Sequence, residues 1–255
     1  MERSAEMTLA TTVALVVVRG PVPVAKALGA IDRLSSGRAV ECSWPSVRAP
    51  RPRTMPPLAS ISRSGGRALT RRSVSCGALW RPDSPPFVGR FYSTQGLSLE
   101  PLPAQAGGPP IWVGSWGSEA GLRRVARLAD GWLASAYNTT PELFGRAWQA
   151  LGTQLADHGR ASDTFPNALA TMWCYITEDP AEAERVLIER VVPTVHRPED
   201  MLRERLPIGP PELFAEKLTA FAKAGVQRVY IWPVADELNH LDRFGDEVRP
   251  LVAAS

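Results

Sequence analysis

Ile111-Trp-Val-Gly-Ser-Trp-Gly-Ser118, followed by Glu119-Ala-Gly-Leu-Arg-Arg-Val-Ala-Arg-Leu-Ala-Asp-Gly-Trp132, decides how the chain is read. Ile111 to Val113 is short and apolar and predicts a buried strand. Gly114 to Ser118 is a tight turn built of glycine and serine around Trp116. Glu119 to Ala129 then spaces Leu122, Val125, Ala126 and Ala129 onto one face, which predicts a helix. Asp130-Gly131 closes that helix before a strand at Trp132-Leu133. The bend supports two readings. Amides at the helix start and the Ser115 and Ser118 hydroxyls would hold a phosphate, with Gly114 and Gly117 letting the backbone come close. Equally, the bend is a plain tight turn with Ser118 as helix N-cap.

The same alternation continues outward. Upstream, Thr8 to Val18 is continuous, apolar and β-branched, as in a strand covered on both faces. Val24, Ala27, Leu28, Ile31 and Leu34 then recur at helical spacing up to Ser35-Ser-Gly37. Phe87 to Tyr92 and Leu97 to Leu99 suggest a small hairpin. Downstream, helices are predicted over 141–159, 181–191, 198–205, 211–224 and 238–252, and strands over 168–177 and 226–233. Strand and helix alternating in this way predict a parallel sheet, as a (β/α) barrel or a doubly wound sheet. No GxGxxG follows the first strand, which weighs against the doubly wound choice. Between Glu41 and about Cys76 the pattern fails, and Pro, Arg and Ser dominate.

Composition narrows the classes. The 255 residues are 44% hydrophobic, enough for a sizeable core. The 3 Cys are far apart without a CxxC, and the 3 His form no metal-binding pair. A disulfide scaffold and a histidine-built metal site are therefore not expected, and a cytoplasmic location is. The net charge of +3 comes from arginines clustered over 48–72. No aromatic platform or recognition helix accompanies them, so a nucleic-acid partner is not expected. The apolar run 9–18 is about half of the roughly 20 residues that a membrane span needs.

Several spaced segments resemble the luciferase-like monooxygenases, the flavin- or deazaflavin-dependent barrel oxidoreductases. Leu9 to Val13, Gly20-Pro21, and Ala25-Lys26-Ala27 through Asp32-Arg-Leu-Ser-Ser-Gly-Arg38 look like that family's third strand and its helix. Gly89-Arg-Phe-Tyr92 and Pro109-Pro-Ile-Trp-Val-Gly114 are similar to its insertion and next strand. Leu122 to Trp132 looks like its ALRRAARLADGW run, and Ile208-Gly209 with Pro211 to Val226 like its GTPEEV…AGV segment. The resemblance implies a (β/α)8 TIM-barrel fold over residues 1–255. It implies FMN or the deazaflavin coenzyme F420 as cofactor and a small organic molecule as substrate. By the family pattern, Gly114, Ser115, Trp116, Gly117 and Ser118 receive the cofactor phosphate. Ala14 and Leu15 match a non-prolyl cis peptide behind the ring, and Trp132 lines the pocket. No catalytic base is identified by it.

The departures are equally specific. The family begins with two further β/α units, so the barrel is expected to be incomplete, with exposed edges that could pair into a homo-oligomer. Residues 39–77 match neither the strand nor the helix the family places there, and are expected to be irregular, either disordered or frameshifted. Back-translating Ala39 to Val47 with GC-rich codons and reading one base out can yield GRVLVAVG. The same offset over Ala68 to Cys76 can yield FDEAVRVLR. Compensating indels near codons 38 and 77 would be the signature in the DNA. The rival expectation is a non-catalytic fragment without cofactor affinity. An aldolase-type barrel is disfavoured, since none of Lys26, Lys217 and Lys223 falls at a strand tip.

Overall fold

The computed structural model describes residues 9–14, 21–43, 76–81, 83, 85–89 and 93–253. They form a mixed α/β fold of parallel strands that divides into two compact units. Unit 1 holds the described residues up to Ser115, together with 120–132 and 157–160; unit 2 holds 116–119, 133–156 and those from 161 onward.

In unit 1, β1 (Leu9–Ala14), β2 (Ala39–Ser43) and β3 (Ile111–Gly114) lie side by side, all parallel. The crossover from β1 to β2 is α1 (Pro21–Leu34), which buries Val24, Ala25 and Leu28. Proline at its first position lacks only an N–H that would be unpaired there. The helix ends on Ser36 and Gly37, at φ 57° and 80°, and the Gly37 N–H donates to the Asp32 carbonyl at 2.8 Å. α2 (Glu119–Leu128) buries Leu122, Val125 and Ala126, as its spacing predicts. Trp80, 3% exposed, donates from Nε1 to the Ala25 carbonyl at 3.0 Å and packs over Gly108.

β2 corrects one expectation. The segment 39–77 carries no strand pattern, yet its first five residues are a strand, and residues 76–79 are helical. Ala39–Ser43 gain their state from hydrogen-bonding to β1 on one side and β3 on the other, a tertiary effect that local propensity does not report. Residues 44–75, where disorder or a shifted frame is expected, lie outside the described residues, as does Leu15. Among the described residues the expected pairing of 87–92 with 97–99 is not seen; Val88 instead bridges Ser93 in antiparallel fashion, and the Thr94 N–H donates to the Phe87 carbonyl at 2.8 Å.

Unit 2 is organised on β5 (Asn167–Ile176), fully buried over its first four residues and alternating thereafter. The short β6 (Ile208–Gly209), which has no signal in the sequence, and β7 (Val229–Pro233) both pair with it in parallel. The start of β5 is tied down by Asn167. Its Oδ1 accepts from the Gln227 N–H at 2.9 Å, and its Nδ2 donates to the Gly225 carbonyl at 2.9 Å. Helices α3 (Pro141–Ala156) and α6 (Pro211–Lys223) bury Phe144, Leu151, Leu155, Phe214 and Phe221. Between β5 and β6 run α4 (Pro180–Val186), a wider π-type turn over Leu187–Val191, and α5 (Glu199–Arg205). The chain ends in α7 (Glu237–Arg243) and its continuation to Ala253. Among the described residues no helix is long and apolar enough to cross a membrane.

Cys174 lies on β5, 1% exposed, and desolvation pushes its thiol up to about 12. The thiolate is the reactive species, so the native chain should leave Cys174 unmodified by iodoacetamide at mildly alkaline pH. Peptide mapping should find it alkylated only after denaturant; labelling in the native state would contradict this burial.

Candidate functional site

The predicted bend is held by the Asp130-Gly-Trp132 triplet that follows α2. Asp130 Oδ2 accepts from the Ile111 N–H at 2.8 Å, and its own N–H donates to the Ile111 carbonyl at 2.7 Å. These two bonds join the end of α2 to the first residue of β3. Gly131 begins β4 (Gly131–Ser135) with the Trp112 ring directly over its α-carbon. A Cβ there would stand 2.5 Å from the indole, so only glycine lets the strands approach. Trp132, 1% exposed, donates from Nε1 to the Ser115 carbonyl at 3.1 Å. Its indole therefore fixes the bend at Ser115.

Within the bend the residues differ. Gly114 and Ser115 are buried, Trp116 is 54% exposed, and Ser118 is exposed. Gly117 has φ +87°, and a Cβ on it would lie 3.1 Å from that of Ala147, so an L side chain is doubly disfavoured. Ala14 ends β1, paired with Ser43, and Ser43 pairs with Val113. Parallel strands put Ala14 and Gly114 at the same end of the unit 1 sheet, two strands or roughly 10 Å apart. The bend itself is divided, with Gly114 and Ser115 in unit 1 and Trp116 to Glu119 in unit 2.

Unit 2 also carries a polar chain that the sequence reading does not single out. Arg197 Nε donates to Asn138 Oδ1 at 3.3 Å, and Asn138 Nδ2 donates to Ser135 Oγ at 3.0 Å. Ser135 Oγ is 2.9 Å from Thr171 Oγ1, which donates to the Ala170 carbonyl at 2.6 Å. With that proton committed, Ser135 is the donor to Thr171, and the four side chains run in one direction. Thr171 has φ 60° inside β5, at the point where the register against β7 shifts. A β-branched residue in the left-handed region is uncommon and costs on the order of 1–3 kcal/mol. These partners lie 59 and 36 residues apart, too far for any motif to link them.

A groove of about 500 Å³, lined by Glu212, Glu216, Thr219, Lys223 and Leu251, contains none of the candidate residues. No cluster of metal-binding side chains occurs among the described residues.

Comparison with known proteins places this arrangement. Residues 1–196 match the luciferase-like monooxygenase family. The chain belongs to that family. An uncharacterized protein of Mycobacterium tuberculosis is 30% identical over 142 residues, 52% of this chain and 45% of that protein, and one of Mycobacterium bovis matches equally. The chain thus spans about half the length of the curated relatives it matches. Among solved structures, an F420-dependent secondary alcohol dehydrogenase, in complex with an F420-acetone adduct, superposes with TM-score 0.79 at 15% identity, covering 99% of this chain and 82% of that one. The coenzyme F420-dependent tetrahydromethanopterin reductase of Methanopyrus kandleri gives 0.72 at 17%, covering 97% and 85%. The oxygenating constituent of 3,6-diketocamphane monooxygenase of Pseudomonas putida, in complex with FMN, gives 0.66 at 15%, covering 96% and 79%. At these identities the likeness is one of fold.

Proposed function

We propose that the chain is a flavin- or deazaflavin-dependent oxidoreductase or monooxygenase of the luciferase-like family, acting on a small organic substrate. FMN or coenzyme F420 is the cofactor, and the Gly114–Ser118 bend is the place where its phosphate rests. A cytoplasmic location goes with this reading. The observation that carries it is the bracing of the bend. Trp132 holds the Ser115 carbonyl, and Gly117 has a backbone that side chains avoid. A braced turn ending in an exposed serine suits a phosphate, since its backbone is fixed before binding.

Bound there, the cofactor supplies two-electron redox chemistry to the substrate. The chain's own residues bind and orient. Ser118 offers a hydroxyl, Gly117 admits the phosphate to the backbone, and Trp132 keeps the bend in position.

The test is titration of FMN and of F420 against the purified chain, followed by fluorescence. Saturable binding of one of them is expected. Gly117→Val should weaken it on the order of tenfold, the equivalent of about 1.4 kcal/mol. Ser118→Ala should weaken it a few-fold, and the melting of each variant, read alongside, separates lost binding from lost folding. If neither cofactor binds saturably, the reading fails and a non-catalytic fragment stands in its place.

A further inference from the structure

We infer that Arg197 and Arg205, gathered on the turn that leaves β4, form a receptor for a phosphate-type oxyanion of a small molecule. The turn is Ala136–Asn138. Arg197 Nε donates to the Asn138 side chain, and Arg205 Nη1 donates to the Tyr137 carbonyl at 3.1 Å. Two guanidinium groups therefore attach to adjacent residues.

Among the described residues no carboxylate comes within 4.0 Å of Arg197 or Arg205. Three arginines of the same unit do have one. Arg185 faces Glu182, Arg203 bridges Glu184 and Glu199, and Arg243 holds Glu247. Among the described residues the Nε of Arg205 is buried without a hydrogen-bond partner. A buried guanidinium N–H left unpaired is costly, and two like charges on one short turn repel. An oxyanion with several acceptor oxygens accepts from the outward guanidinium N–H groups and offsets the repulsion.

The geometry is prepared for such a guest. The Arg197 guanidinium lies 5.5 Å from the centroid of the Trp116 ring and 5.9 Å from that of Tyr137. Those rings hold the cation by its π-faces, while Asn138 takes only Nε. The terminal nitrogens of Arg197 make no hydrogen bond among the described residues. Asn138 is in turn fixed by Ser135, and Ser135 by Thr171. Tyr137 packs on the cluster of Leu187, Val191, Leu202 and Leu206. The fork is thus pre-positioned, which lowers the entropy cost of capturing an anion.

This inference does not depend on the cofactor reading, and inorganic phosphate tests it alone. The full chain is melted in sodium phosphate and in sodium chloride at equal ionic strength. The wild-type chain should melt higher in phosphate. Arg197→Met and Arg205→Met should each lose most of that shift, and Arg197→Lys should keep part of it. Melting of the variants in chloride reports whether they fold. Should a variant fail to fold, the Arg197→Lys response decides. No phosphate shift in the wild type, or an equal shift in folded Arg197→Met, overturns the inference.

FMN and riboflavin, which lacks the phosphate, then identify the source. If the oxyanion is the cofactor's, Arg197→Met should weaken FMN on the order of ten- to a hundredfold, as for lost charge-assisted hydrogen bonds, and leave riboflavin unchanged. If it is the substrate's, the phosphate shift is lost while both flavins bind as before. If no flavin binds, the cofactor reading fails, and the phosphate result still decides this one.

Discussion

Gly131→Val should unfold the β3–α2 corner of unit 1, at a cost of about 3 kcal/mol or more. The backbone at Gly131 is not left-handed, so the penalty is purely steric. An added Cβ would lie 2.5 Å from two ring atoms of Trp112 and 2.8 Å from a third. Trp112 is 2% exposed on a strand whose four residues are all buried, so its ring has no free space to enter. Nor can the glycine retreat. Asp130, one residue earlier, is bonded to Ile111 in both directions, and Trp132, one residue later, is bonded to Ser115. Hydrogen exchange should show lost protection over residues 111–132, with the amides of α6 unaffected. Adding Trp112→Leu should recover part of the loss, because the two positions share one space. An unchanged melting temperature in Gly131→Val would show that the ring is not held where the structure has it.

That triplet also shows what was legible in the sequence. Asp130-Gly-Trp132 belongs to the run that resembles the luciferase-like family, and each of its residues has a local physical reason. The strand–bend–helix unit from Ile111 to Leu128 was readable because apolar spacing and glycine placement lie within one window. β2 was not readable. Ala-Val-Glu-Cys-Ser is an ordinary polar mixture, and only its two neighbouring strands make it a strand. The two residues of β6 were too few to form a period. The Arg197–Asn138–Ser135–Thr171 chain was invisible for a different reason. Its members come from three separate segments, and Thr171 reads as a routine strand residue until its φ of 60° is known. Arg197 stands among charged neighbours and is distinguished by its contacts with Asn138, Trp116 and Tyr137, facts of three dimensions.

Asp32→Leu is expected to be the other severe change, again in unit 1 and on the order of 3 kcal/mol, because it strands buried donors. Asp32 is fully buried in the last turn of α1. Its Oδ2 accepts from the Gln105 N–H at 2.8 Å. Its Oδ1 accepts from Gln105 Nε2 at 2.6 Å and, more weakly, from the Ala39 N–H at 3.4 Å. Gln105 Nε2 also donates to the Ala39 carbonyl at 2.8 Å. One carboxylate therefore joins the end of α1, the start of β2 and the 105 loop, which is why an acid is found at this point of a helix end that otherwise favours cations. Leucine fills the volume but leaves the Gln105 N–H without its acceptor and Gln105 Nε2 with the Ala39 carbonyl alone. Asp32→Asn separates shape from chemistry. Its carbonyl can still accept from one Gln105 donor, but its NH2 faces the other, so an intermediate loss is expected. Denaturant titration should order the three proteins wild type, Asp32→Asn, Asp32→Leu. If Asp32→Leu matched the wild type, β2 would have to be held by strand pairing alone, and the carboxylate would be incidental to the fold that carries the bend.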